Sequence, residues 1–354
     1  MQPPNRGARC LTTPVDAAPV GCAARTVSVY RCARRTLRVL VATSLLAITP
    51  QAIANPPAAF TETLQATWVA PRSADFVYQS RQLTPALQAL CTAAAAEPAL
   101  TRAREHWLAA LGSWETLSAV AFGPVLERRS QRQIDFTPTR PRLIEKAIKT
   151  APADAAAMEL IGTPAKGLPA LEWLLWMKPV QPAGADCRYA IQVAAEIERE
   201  ATALAETRLS SPDDQATLSE LVNQWVGGLE RLRWGNLEMP ARVSQTSGGK
   251  DAPEYPRQAS GAHAASWAAQ WRALRELAIG PVSLASALNQ RGKSALPLTT
   301  AVERADTALQ GLTGDDLPRA IAAGRELAAL KRLVENQVAA DLGVNIGFSD
   351  ADGD

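Results

Sequence analysis

The sequence predicts an all-α protein built as two related up-down four-helix bundles packed side by side, and three observations predict it. The chain is rich in Ala and Leu. Its apolar residues recur at helical spacing, with no convincing alternation of the kind a strand needs. A 20-residue stretch also occurs twice: "HWLAALGSWETLSAVAFGPV" (106–125) aligns without gaps on "HAASWAAQWRALRELAIGPV" (263–282). Seven positions are identical: His, Trp, Leu, Ala, Gly, Pro and Val. The offset pairs Trp114 with Trp271, Pro124 with Pro281, and the chain's two histidines, His106 and His263. Ala-rich helices produce chance matches, but shared Trp, Gly and Pro are harder to explain that way. A duplicated helical unit is the expectation, and a single elongated bundle is the alternative.

The N-terminal element is a leader. Residues 31–54 read "RCARRTLRVLVATSLLAITPQAIA": Arg31, Arg34, Arg35 and Arg38 precede a short apolar run, and Ala52-Ile53-Ala54 supplies a small-x-small cleavage pattern. That run, within Leu37 to Ile48, is too short to span a bilayer. Residues 1–54 therefore read as a signal peptide with a long n-region, cleaved after Ala54, and the mature chain as exported. Helices are expected at about 59–69, 72–96, 184–209, 213–238, 262–278 and 298–311. Trp107, Leu111, Trp114, Ser118 and Ala121 make one helical face, and Leu327, Leu330, Val334, Val338 and Asp341 make another. Pro71, Pro98, Pro124, Pro212, Pro281 and Pro297 are placed at turns. "SQTSGGKDAPEYPRQASG" (244–261), polar and lacking apolar periodicity, is the best linker or loop. The expected units are a first bundle over 55–210 and a second over 211–354.

Removing the leader leaves 30 basic and 34 acidic side chains, a net charge of −4 with neutral histidines. That argues against a nucleic-acid partner, which needs a clustered basic surface. Cys91 and Cys187 are the cysteines left. In an oxidising compartment they are expected to form one disulfide, the alternative being two buried thiols.

No nucleophile elbow, P-loop, dinucleotide fingerprint or His-Glu-x-x-His run is present. The two histidines form no local metal site. Asp350, Asp352 and Asp354 alternate like half a calcium loop but lack its closing acid, so they read as an exposed acidic tail. The sharper signal is "GLPALEWLLW" (167–176), which sets Glu172 among Leu, Trp and Ala. Pro169 fits a helix's first turn, so Glu172 is placed near a helix N-terminus, where the dipole favours an anion. Its partner is either backbone amides or an arginine, with Arg140, Arg142 and Arg231 as candidates. The other reading makes it part of a ligand pocket.

"KGLPALEWLLW", "RLRWGNLEMPAR" (231–242), "AFGP" and "LGVNIGFSDADGD" together resemble the imelysin-like family over essentially the whole mature chain. The resemblance implies two related four-helix bundles with the motif near the groove between them. Family members are exported, several are tied to iron uptake, and the founding member was described as a peptidase. Gly167, Glu172, Arg140, Arg142, Arg231 and Glu238 form the candidate ligand-binding set. The family pattern is Gly-x-His-x-x-Glu. Here Gly167 and Glu172 match it, but Pro169 stands in the histidine's place. His and Glu at i and i+3 share a helix face and can grip a cation together, whereas proline offers no ligand atom. Glu172 alone does not make a catalytic zinc site, which normally takes three protein ligands. The expectation is a periplasmic binding or accessory protein linked to iron uptake, with Glu172 lining an inter-bundle pocket and an iron or other divalent cation left open as its ligand. A family peptidase and a structural partner of an outer-membrane uptake receptor are the rivals.

Overall fold

Apolar positions at three- and four-residue spacing become buried faces in the structure, a computed structural model that describes residues 60–347 apart from 211, 212 and 249. The leader, its cleavage site and Asp350, Asp352 and Asp354 lie outside the described residues. Regular structure among the described residues is helical throughout. The main helices are α1 (Ala70–Arg81), α2 (Leu83–Thr92), α3 (Ala96–Ser118), α4 (Gly167–Glu172), α5 (Ala185–Glu206), α6 (Asp214–Glu230), α7 (His263–Ile279), α8 (Leu296–Leu309) and α9 (Leu317–Leu333). Trp107, Leu111, Trp114 and Ser118 are all buried on α3, and Leu327, Leu330, Val334 and Val338 are buried near the C-terminus.

Several boundaries differ from the sequence reading, and proline explains two of them. Phe60–Arg81 is one helical run, so Pro71 marks no turn. The five residues before its helix, Gln65–Val69, have π geometry. The same happens at Pro240, which follows the π segment Arg231–Glu238 inside a helical run from Asp214 to Thr246. A π turn moves the carbonyl that would clash with the proline ring, so the helix passes through. The two histidines that the repeat pairs sit differently: His106 lies mid-helix in α3, whereas His263 opens α7.

Two buried cores form. One gathers Phe76, Trp107, Trp114, Leu174, Tyr189 and Ile197, packed between α1, α2, α3 and α5. The other gathers Trp225, Trp267, Trp271, Leu277, Leu298 and Leu327, packed between α6 and its continuation, α7, α8 and α9. Cys91 of α2 and Cys187 of α5 are joined in a disulfide with their Cα atoms 5.7 Å apart. Residues 60–69, expected in the first unit, send Phe60, Leu64 and Trp68 into the second core, where Trp68 meets Phe122 at 5.3 Å. The two halves are in contact through α3 and α7. They also meet where α6 crosses the end of α3: a Cβ on Gly228 would sit 2.0 Å from the Ala119 carbonyl oxygen. Only glycine permits that approach.

Candidate functional site

The motif helix α4 is fixed before its carboxylate is considered. Gly167 has φ +73°, and a Cβ there would lie 2.2 Å from the Ile134 carbonyl oxygen, so conformation and space both demand glycine. Trp107 Nε1 donates to the Leu168 carbonyl at 3.1 Å, and Arg104 donates to the Leu175 carbonyl at 2.9 Å. Tyr189 Oη donates to the Ala165 carbonyl at 2.6 Å, and buried Lys166 reaches Glu196 at 2.6 Å. Pro169 is the third residue of the helix, where its missing N–H leaves nothing unpaired.

Glu172 is 5 % exposed. A backbone amide answers it, but from outside its own helix, and none of the three candidate arginines does. Oε1 accepts from the Ser260 amide at 3.0 Å and from Ser260 Oγ at 2.7 Å. Glu172 lies a turn and a half into its helix, where the free N-terminal amides are out of reach. Ser260 belongs to the 244–261 stretch that the sequence presents as a linker. That stretch is instead a strap across both halves. Its Tyr255 is buried in the second core, and Ala262 just beyond it is buried in the first.

Between those anchors Arg257, at φ +69°, is 4 % exposed. Its Nη2 donates to Asp135 Oδ1, and its Nε lies 3.6 Å from Glu115 Oε1. Burial pulls the guanidinium pKa down, but Asp135, Glu115 and Glu172 together push it above its ordinary value, so Arg257 stays charged. Asp135 Oδ2 also accepts from Trp114 Nε1 at 3.2 Å. Glu115 accepts from Ser266 Oγ and from Gln270 Nε2, both at 2.7 Å, across the α3–α7 contact. Burial raises its pKa, against the opposing pull of Arg257, so it is held toward its neutral form. Half-buried Arg231 donates to the Ser118 and Ala119 carbonyls at 2.6 and 3.0 Å, capping the negative end of α3. Burial lowers its pKa, while Glu115 and Asp135 oppose that.

The candidate set therefore does not converge. Gly167 and Glu172 sit at the centre and Arg231 at its edge. Arg140 and Arg142 are exposed at the start of the Pro141–Thr150 helix. Glu238 is buried in the second half, paired with Arg233 at 2.8 Å and with Arg242. Glu172 is sealed under the strap, where the sequence reading has it lining an inter-bundle pocket. Glu115, Asp135, Arg257 and Ser260 escaped that reading. For Glu115 the signal was present: it follows Leu111 by four residues on an apolar face, the same anomaly that marks Glu172.

A divalent cation does not fit this donor set. Arg257 already occupies the space among three carboxylates, Arg231 adds a second fixed positive charge, and Pro169 supplies no donor. Among the described residues, no three His, Cys, Asp or Glu side chains are arranged to hold a metal. His263 stacks on Tyr255 at 5.5 Å, far from any such role.

Residues 69–340 match the family model for imelysin. Solved structures are also similar, among them the following two. An imelysin-like protein from Psychrobacter arcticum 273-4 superposes with a TM-score of 0.67 at 22% identity, covering 82% of this chain and 96% of that one. A protein described as an iron-regulated protein A precursor, from Parabacteroides distasonis ATCC 8503, gives 0.62 at 15% identity, covering 79% and 95%. No curated protein sequence matches.

Proposed function

The chain belongs to the imelysin family, and on that premise we propose that it is an exported binding or accessory protein whose recognition element is the Glu172–Ser260–Arg257 centre. One observation carries the reading: the motif carboxylate is buried, yet its bonding partner is a neutral serine on a surface strap. A purely structural buried carboxylate gains most from a direct guanidinium pair. A serine is exchangeable, and a ligand bearing an N–H or O–H donor can take its place on Oε1 once the strap lifts.

Metallopeptidase chemistry is disfavoured because the residues fit no metal, so no hydrolytic step is assigned. A link to iron acquisition draws support from the Parabacteroides neighbour, whose description is iron-regulated. Export draws support from the leader composition.

The test uses protein purified from its own cell envelope. N-terminal sequencing is expected to begin at Asn55, and the amount of protein is expected to rise on iron starvation. Peptide hydrolysis, with and without added zinc, is expected to stay at background. Chelator-sensitive hydrolysis lost in Glu172→Gln would overturn the non-enzymatic reading.

A further inference from the structure

A second site lies in the other half of the molecule, away from the strap centre. A cavity of about 660 Å³ opens between α7, α8 and the turn after α8. That is within the size range of small-molecule pockets. Its wall includes Trp267, Trp271, Leu309 and Leu312, so most of it is apolar.

The internal repeat explains why space exists here. At the offset of 157 positions, the first copy carries Trp107 and Leu111, both fully packed, where α7 carries Ala264 and Ala268. Two large side chains give way to alanine in α7, which carries Trp267 where the first copy has Ala110, and both alanines line the cavity beside that indole. A void left by random drift costs stability in proportion to its volume. One that is open to solvent and flanked by tryptophan is a place for a ligand to bury apolar surface.

The polar groups on the rim set the ligand's charge. Asp306 is already satisfied: Oδ1 accepts from Trp271 Nε1 at 2.7 Å and Oδ2 from Arg275 Nε at 2.8 Å. Arg272 also lines the cavity and makes no ion pair or hydrogen bond among the described residues. The site therefore presents an apolar, indole-walled interior and one uncommitted guanidinium.

We propose that this cavity binds an amphipathic monocarboxylate, its apolar body against Trp267 and Trp271 and its carboxylate on Arg272. The site is independent of the Glu172 centre and stands or falls separately from it.

The experiment titrates full-length mature protein with 1-pyrenebutyrate, which accepts energy from tryptophan. Saturable tryptophan quenching is expected. It should weaken at least tenfold with the neutral isostere 1-pyrenebutanol and at least tenfold in Arg272→Gln. Ala268→Trp, which puts an indole into the cavity wall, should abolish saturable quenching. Arg272 and Ala268 are exposed, so both variants should melt with the wild type, and that melt is the folding control. Absence of saturable quenching in the wild type would overturn the proposal. So would affinity that Arg272→Gln and Ala268→Trp leave unchanged.

Discussion

The same trio of side chains occurs in both halves of the molecule under different conditions. In α3, Trp114 donates its indole N–H to Asp135, whose other oxygen takes Arg257. In α7, the paired Trp271 donates to Asp306, whose other oxygen takes Arg275. The first trio is sealed, with the Arg257 side chain 2 % exposed; the second is on the surface, with Arg275 at 47 %. Identical hydrogen bonds therefore carry different energetic weight. In water a broken ion pair is replaced by hydration, whereas in a closed site the remaining charge has nothing to turn to. The positions beside each tryptophan diverge accordingly. Glu115 of α3 is buried and answered by α7, whereas Arg272 of α7 faces solvent and a cavity.

The comparison breaks most visibly at the arginines. Arg257→Met should destabilise the fold by about 3–5 kcal/mol, because Asp135 and Glu172 lose their shared counter-charge. Arg275→Met should cost about 0–1 kcal/mol, as surface pairs do. Urea denaturation of the two variants decides it, and equal losses would show that burial is not what separates the trios. A packing change comes next. Trp107→Ala should cost about 3–5 kcal/mol, since that indole fills the volume its α7 counterpart leaves empty and also holds the Leu168 carbonyl. The same denaturation series reads it, and a loss below 1 kcal/mol would mean that both copies are equally hollow.

Smaller effects sharpen the picture around the strap. Ser260→Ala removes the hydroxyl donor to Glu172 but keeps the amide, so a loss of about 1.5–3 kcal/mol is expected. Hydrogen exchange over 251–262 should rise in the same variant. The smallest effect is pH dependence at His263. Burial lowers its pKa below the ordinary value, with Asp315 opposing, so the folded state favours the neutral ring. Stability from this group is therefore present above about pH 6.5 and is lost as pH falls through the lowered folded value. His263→Phe keeps a ring against Tyr255 and Trp267 and should flatten that part of the melting-temperature profile between pH 7 and 5. An unchanged profile would place the acid sensitivity elsewhere.

Local pattern was enough for the helices, the buried faces of α3 and α9, and the anomaly of Glu172. Each of these depends on residues within a turn or two of one another, where spacing alone dictates which side chains share a face. Arg257 was not legible in this way. It meets Asp135 across 122 residues of chain, inside a stretch whose composition reads as a solvent-exposed linker. A polar, proline-bearing loop is buried only when other elements present charges that complement it, and no window on the sequence contains those elements. Pro71 and Pro240 show the same limit on a smaller scale, since π turns carried the helix through residues that normally end it. The sequence by itself determined that the fold is all-α and that a carboxylate sits where only apolar residues belong. Tertiary structure decided what answers that carboxylate and which copy of the repeat is hollow, because long-range packing and low-dielectric charge pairing depend on position in space and not on position along the chain.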